Sequence, residues 1–404
     1  MTSGKDIRYY FTADIISQLG SNISLLSLNW FLLEKTGSSE QVAILVLLSV
    51  LGSLCTCPFA GIIADRFNRK SILIYSNLIR GLAILTVAIL LYSQNFNIYY
   101  LYILSIINGV GFNIYLPASK AFVQEITSRE VLVRSNGFIE INVQISMLIA
   151  GALSGVIYEA FGIYTILVVD TMTFFIANLF LLNIQYNKVP VIRIYENFLK
   201  EFKNGIMYLT TRSSLLCFVL ILLIPHVATI TQNIVTPGYV FYHLNSDSVV
   251  YGIMNMSYGI GATITCLIFI FASSIYYNNF ILRMSFIISI LSLMTLISTN
   301  TVIIAYIATL FFGLANSSIK IILLSTMMRI VDSQYMGRVI SVKNVVITLL
   351  QMCLSYPIGY AMDVYGNVTG YMFLELIMII AFISYIYFLP KIKSLFVNSG
   401  QARL

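Results

Sequence analysis

Twelve apolar runs, each long enough to cross about 30 Å of hydrocarbon as a helix, leave this chain very little choice of fold. They fall at residues 8–33, 41–64, 72–92, 99–119, 138–161 and 164–184, and again at 213–241, 249–272, 280–298, 301–325, 339–363 and 367–388. The longest polar connection, residues 185–212, separates the two sets of six and turns amphipathic around 195–209. At 59% hydrophobic and 10% charged residues, the chain carries too much apolar surface for one soluble core. The expected architecture is an all-α polytopic membrane protein with twelve transmembrane helices in two six-helix pseudo-repeats. Its N-terminal bundle spans 1–185, its cytoplasmic linker 186–212 and its C-terminal bundle 213–404.

An internal repeat supports the two halves. A shift of 204 residues brings Gly109 onto Gly313, Ile126 onto Ile330, Arg134 onto Arg338, Gly155 onto Gly359, Glu159 onto Asp363 and Gly162 onto Gly366. Matches of Gly and Ile come cheaply in such a sequence; two charged positions in register do not. Parallel repeats related by an axis along the membrane normal allow one half to rock against the other around a midplane cavity, which is alternating access.

Charge sets the orientation. Lys5, Arg66, Arg69, Lys70, Lys120, Arg129, Arg134, the linker cluster (Lys188, Arg193, Lys200, Lys203, Arg212), Arg329, Arg338, Lys391 and Lys393 share one side, and the other side offers Lys35. Cationic loops favour the cytoplasm, so both termini are expected there, in a plasma membrane of bacterial type. The net charge of +7 belongs to these loops and calls for no nucleic-acid partner. The first apolar run lacks a small-residue cleavage pattern and is expected to stay as helix one. Cys55, Cys57, Cys217, Cys266 and Cys353 all lie in apolar runs and read as small buried hydrophobes. His226 and His243 are 17 residues apart, and no His-Glu-x-x-His, Gly-x-Ser-x-Gly or phosphate-binding Gly-x-x-x-x-Gly-Lys-Ser/Thr occurs. No enzyme activity, metal, cofactor or ATP drive is therefore expected.

The segment Gly61-Ile62-Ile63-Ala64-Asp65-Arg66-Phe67-Asn68-Arg69-Lys70 packs four charges of mixed sign into a short connection between apolar runs. Gly61 lets another helix come close. Asp65 can accept hydrogen bonds or face a helix N-terminus, Arg66, Arg69 and Lys70 supply donors, and Asn68 tolerates a left-handed turn. A topology-setting basic loop with no further task explains the same residues. The segment also resembles the major facilitator superfamily signature Gly-x-x-x-Asp-Arg-x-Gly-Arg-Arg/Lys, with Asn68 in place of the inner Gly. Thr36-Gly37-Ser38, Leu78-Ile79-Arg80, Leu116-Pro117-Ala118, Val169-Asp170 and Gly337-Arg338-Val339 resemble the branch holding macrolide-efflux and siderophore-export proteins. The resemblance implies a cytoplasmic gate in which Asp65 and its basic neighbours meet helix eleven, with Arg338 a natural partner. The counterpart loop at 273–279 carries no charge, so the gate chemistry belongs to the N-terminal half.

On helix one, Asp14, Gln18, Asn22 and Asn29 are spaced four, four and seven apart and share a face. Such a stripe reads as a cavity wall. The resemblance implies that helices one, four, seven and ten line the cavity, and the other three offer Asn108, Asn113 and Tyr115; His226, Gln232 and Asn233; and Asn316 with Ser317. Hydrogen bonding between helices is the competing explanation for all of these. An ionisable group at mid-bilayer costs about 2.5 to 3.5 kcal/mol unless it meets water or a partner, which singles out Asp14, Arg80, Glu140, Asp170, His226 and Glu375. For proton coupling the order is Asp14, Glu375, Asp170, Glu140. Arg80 has Asp14 or Asp65 as possible partners, and His226 beside Pro225 either titrates, touches substrate or packs. Gly151-Ala152-Leu153-Ser154-Gly155 permits close helix packing, with Ala152 where drug antiporters of the resembling superfamily carry proline.

The function expected is a monomeric secondary transporter that exports an amphipathic, macrolide-like drug by proton antiport. A siderophore or other metabolite exporter of the same fold is the alternative, with Arg80, His226 and Lys320 offering charge to an anionic chelator. A non-transporting receptor is the remote one.

Overall fold

The computed structural model describes residues 4–93, 96–127, 129–186, 198–271 and 279–398. Among these, the chain is helical from end to end: α1 (Gly4–Thr36), α2 (Ser39–Arg66), α3 (Arg69–Tyr92), α4 (Ile98–Ile126), α5 (Arg129–Leu182), α6 (Phe198–Thr210), α7 (Ser213–Gly238), α8 (Ser248–Phe271), α9 (Asn279–Ser298), α10 (Val302–Ile330), α11 (Ser333–Tyr365) and α12 (Thr369–Asn398). A single π turn, Tyr239–His243, follows Pro237 at the end of α7.

Turn chemistry marks the boundaries. Gly37, at φ 65°, closes α1, its N–H reaching Leu33 O at 2.7 Å, and Ser38 opens α2 by accepting the N–H of Gln41 at 3.3 Å. Asn68 caps α3 through Ser71 N at 3.1 Å. Its φ of −67° is ordinary extended backbone, so the reversal after α2 uses Asn68 as an N-cap and needs no left-handed residue. α5 is continuous by hydrogen bonding yet breaks at Gly162, φ 74° and ψ 176°, a conformation essentially reserved for glycine. Gly366, its partner in the 204-residue repeat, has φ 100° at the end of α11. The repeat thus recurs as backbone geometry: one positive-φ glycine before the last helix of each half.

Ten stretches of the described residues are long and apolar enough to cross a membrane, and Asn142–Leu182 alone runs 41 residues, about 60 Å of helix, or two passes on either side of Gly162. α1 is not among the ten, because the same polar residues that form its stripe dilute its apolar content. Large apolar side chains are turned outward all along the spans, Tyr92, Ile303 and Phe280 among them at 65–71% exposure. Water would penalise such a surface, whereas lipid solvates it. The cysteines follow this pattern: Cys55 and Cys353 are exposed on spans and the others half-buried, so they are not the buried hydrophobes expected.

The chain divides into two compact units, residues 1–193 with 245–256, and residues 194–244 with 257–404. Nothing in the hydropathy pattern signals that the first turns of α8 belong with the N-terminal helices. In the first unit α1 packs mainly on α5 and α2 on α4. α2 and α4 meet backbone to backbone: a Cβ on Gly109 would strike the carbonyl of Ser49, and one on Gly52 would lie 2.5 Å from Ile106 O. α5 and the start of α8 meet in the same way, with Gly151 against Met256 N at 2.6 Å and Gly252 against Gly151 O at 2.6 Å. There Ser248 Oγ donates to Gly155 O at 3.1 Å, so the Gly151/Gly155 spacing does serve close approach despite Ala152. In the second unit α10 packs on α9 and α7, and Gly313 sits against the carbonyl of Tyr258 as Gly109 does against Ser49. α6 covers α11: Gly205 lies against Arg338 O at 3.0 Å, and Tyr208 stacks on Tyr335 at 4.3 Å. Tyr208 donates to Asp332 Oδ2 at 3.0 Å, which also pairs with Arg212 at 3.2 Å. Burial pushes the Tyr208 phenol above its ordinary value, so it remains a donor.

Candidate functional site

The loop between α2 and α3 is held from below by two of its cations. Arg69 is buried and pairs with Glu125 at 2.7 Å, and its guanidinium also donates to Ala64 O at 3.3 Å and Ala121 O at 3.1 Å. Glu125 accepts in addition from the Tyr186 hydroxyl, whose proton is held by burial first and by the carboxylate second. Lys70 Nζ donates to Leu182 O at 2.9 Å and Ile184 O at 2.8 Å, satisfying carbonyls at the end of α5 where a cation is favoured. Arg66 is exposed. Arg338, on the first turns of α11, lies over the Tyr335 ring at 5.4 Å. A Cβ on Gly61 would meet nothing within 4 Å among the described residues, so within its own unit no described helix uses the smallness that the sequence suggested. The side chains of Asp65, Arg134 and Glu140, and the loop at 272–278, lie outside the described residues.

The stripe on α1 meets α4 and α5. Asp14 is buried and surrounded by donors: Gln18 Nε2 at 2.9 Å, Tyr115 Oη at 3.3 Å and Asn142 Nδ2 at 3.4 Å. Asn29 is fully buried and Asn22 half-buried. Asn113 is occupied elsewhere, donating to Ser53 O at 2.9 Å and Thr56 Oγ1 at 3.1 Å on α2, so it joins helices and does not face the stripe.

Deeper in the same unit lies a second cluster. Arg80, on α3, is buried; its Nη2 donates to Ser21 Oγ at 3.1 Å and its Nε to Asn108 Oδ1 at 3.4 Å. The guanidinium lies over the Phe174 ring at 4.6 Å, and its stem occupies the space that Gly111 leaves, 2.6 Å from where a Cβ would stand. Among the described residues the carboxylate in electrostatic reach of it is Asp170 and not Asp14; the Asp65 side chain lies outside them. Asp170 is 1% exposed and pressed against Gly20 of α1. Thr173 Oγ1 donates to Asp170 Oδ1 at 3.3 Å. The Ser24 hydroxyl stands near the carboxyl, but its geometry completes no hydrogen bond, and Oδ2 has no donor. Spacing alone does not reveal this cluster, because it joins residues from four separated stretches.

In the second unit α7, α8 and α10 converge on Asn316. Its Nδ2 lies 3.2 Å from Pro225 O, 3.0 Å from Thr229 Oγ1 and 3.0 Å from Tyr258 Oη. Lys320, one turn further on, donates to Thr229 Oγ1 at 2.5 Å. His226 is half-buried with its Nε2 unpartnered, in electrostatic reach of Lys320 and Lys343. Gln232 is buried with an unpartnered Nε2 but stands about 120° around α7 from His226. Asn233 shares the His226 face. Glu375, on α12, is half-buried and forms no hydrogen bond or ion pair with the described residues.

Residues 10–350 match the Major Facilitator Superfamily, and the chain belongs to that family: it is a multi-pass membrane transporter and not an enzyme. Macrolide efflux protein A of Streptococcus pyogenes is 23% identical over 219 residues, 53% of this chain and 54% of that protein; the chain thus matches about half the length of that relative. The MFS-type transporter YkuC of Bacillus subtilis (strain 168) is 22% identical across 95% of this chain and 92% of its own length. The fold is similar to that of the nucleoside transporter NupG, with a TM-score of 0.76 at 14% identity over 96% of this chain and 99% of that one.

Proposed function

We propose that the chain is a secondary active exporter, moving an amphipathic small molecule outward by alternating access against inward protons. The relatives named for macrolide efflux favour a bulky drug of that type; a siderophore or other metabolite is the second reading, favoured by the basic side chains Lys320 and His226. The observation that carries proton coupling is Asp170, a buried carboxylate with one oxygen free of donors and a buried arginine in reach. A carboxylate so placed can be charged against Arg80 or neutral in its apolar setting. This reorders the candidates, since Asp14 is already ringed by three donors and Glu375 is less enclosed; Glu140 stays a candidate on sequence alone. Gln18, Asn22, Asn29, Asn108, Tyr115, His226, Asn233 and Asn316 are the proposed cavity residues.

The loop at 61–70 is the proposed gate, with both termini on its cytoplasmic side. Arg69 and Lys70 anchor it, and Asp65 is its proposed working charge. Asp65→Asn is expected to cut export roughly tenfold, about 1.4 kcal/mol, with membrane insertion and substrate binding intact. Efflux from cells, normalised to protein in the membrane, measures this, and unchanged export would remove the gate assignment.

The overall proposal is tested by efflux in proteoliposomes under an imposed pH gradient, with a macrolide and an iron-free siderophore compared side by side.

A further inference from the structure

Lys320 stands ten residues from the end of α10, about 15 Å along the helix and so near the middle of a bilayer about 30 Å thick. It is half-buried and faces α7, where its ammonium bonds the Thr229 hydroxyl at 2.5 Å. No carboxylate among the described residues lies within ion-pair distance of it. His226 lies in electrostatic reach of Lys320 and of Lys343, both cationic. A buried cation in a spanning helix is ordinarily met by an opposite charge or by a water-filled cavity that lets one approach. Thr229 is a neutral acceptor already engaged with Asn316 and Tyr258, so the charge of Lys320 is left without a counter-charge from the described protein.

We infer that Lys320, with His226 beside it, receives an oxyanion carried by the substrate, a carboxylate or phosphate on an apolar body. This deepens the second reading of the proposed transport function, a siderophore or other metabolite, and rests on it. The anion docks on Lys320 Nζ and on the unpartnered Nε2 of His226 in the tautomer or charge state that donates. Asn316 and Tyr258 hold Thr229, and Thr229 holds the lysine, so the ammonium is oriented before the anion arrives. Such a site selects acidic amphiphiles over uncharged ones of the same shape and offers a basic drug nothing at this point.

The test uses the full chain in phosphatidylcholine nanodiscs, titrated with 11-(dansylamino)undecanoate and with its uncharged carboxamide, after subtraction of empty discs. The carboxylate is expected to bind at least about tenfold more tightly than the amide. Lys320→Gln should erase that preference by weakening the carboxylate alone, and Lys320→Arg should keep it; unchanged amide affinity reports an intact fold. Equal binding of the two probes by the parent protein, no saturable carboxylate binding, or a preference that survives Lys320→Gln would each overturn the inference. Should Lys320→Gln not fold, the parent's preference and Thr229→Val, expected to reduce it, decide the matter. Binding is read without a gradient, so a preference with no gradient-driven flux refutes the exporter reading alone, while equal flux of both probes refutes the anion site alone.

Discussion

Asp170→Asn is expected to abolish the response of transport to a pH gradient while leaving a folded protein. The substitution conserves volume and keeps an acceptor for Thr173, which bonds Oδ1 at 3.3 Å in the parent, but it removes the group that alternates between charged and neutral. With one proton exchanged per substrate, one pH unit supports about a tenfold accumulation, 1.4 kcal/mol; in the variant the flux with and without the gradient should become equal. Arg80→Gln acts differently. It strips the cation from a buried carboxylate and loses the Ser21, Asn108 and Phe174 contacts, so it should destabilise the fold by up to the 3 to 5 kcal/mol, roughly, of a broken buried pair. Combining Arg80→Gln with Asp170→Asn should give a protein more stable than Arg80→Gln alone, because a neutral amide at position 170 no longer needs the cation. Thermal unfolding in detergent measures the coupling, and additive losses would show that the two groups do not share a charge balance. A preserved pH response in Asp170→Asn would move the coupling role to Asp14, Glu375 or Glu140.

Gly109→Leu and Gly313→Leu should leave little folded protein. At each glycine even a Cβ would fall on a carbonyl of the facing helix, Ser49 or Tyr258, so the backbones must separate along the α2–α4 or α8–α10 seam. Overpacking alone costs about 1 to 3 kcal/mol and occasionally more, a large part of the 5 to 15 kcal/mol, roughly, by which proteins are stable. Separation would add the lost contacts of every other residue on the seam. Gly61→Leu and Gly337→Leu, where nothing lies within 4 Å of the added atom, should unfold like the parent. Size-exclusion profiles and thermal midpoints separate the two classes, and a parent-like Gly109→Leu would contradict the seam.

The residues legible in the sequence are those whose role is local or periodic. Run length locates the spans, the amphipathic stretch after 195 becomes α6, and the repeat that pairs Gly162 with Gly366 and Gly109 with Gly313 reappears as shared backbone geometry and shared close contact. Periodicity reports which face a residue occupies, not which helix meets that face. Hence Gly61 looks like a packing glycine although no described residue lies within 4 Å of an added Cβ, and Asn113 looks like a cavity residue until Ser53 and Thr56 claim it. Ser21, Asn108 and Asp170 lie 59, 28 and 90 residues from Arg80, beyond any local pattern. Lys320 is visible as a cation in a span, but its carboxylate-free setting is a property of three helices together. Lys343, buried on α11, gives no signal because one lysine near a helix start usually serves topology.

Proton-driven export is decided by flux through the purified chain in proteoliposomes under an imposed pH gradient. Uphill movement of an amphipathic substrate is expected, collapsing with a protonophore and lost in Asp170→Asn. Movement that ignores the gradient would rule out proton drive, and movement that follows it equally well in Asp170→Asn would remove Asp170 from the coupling.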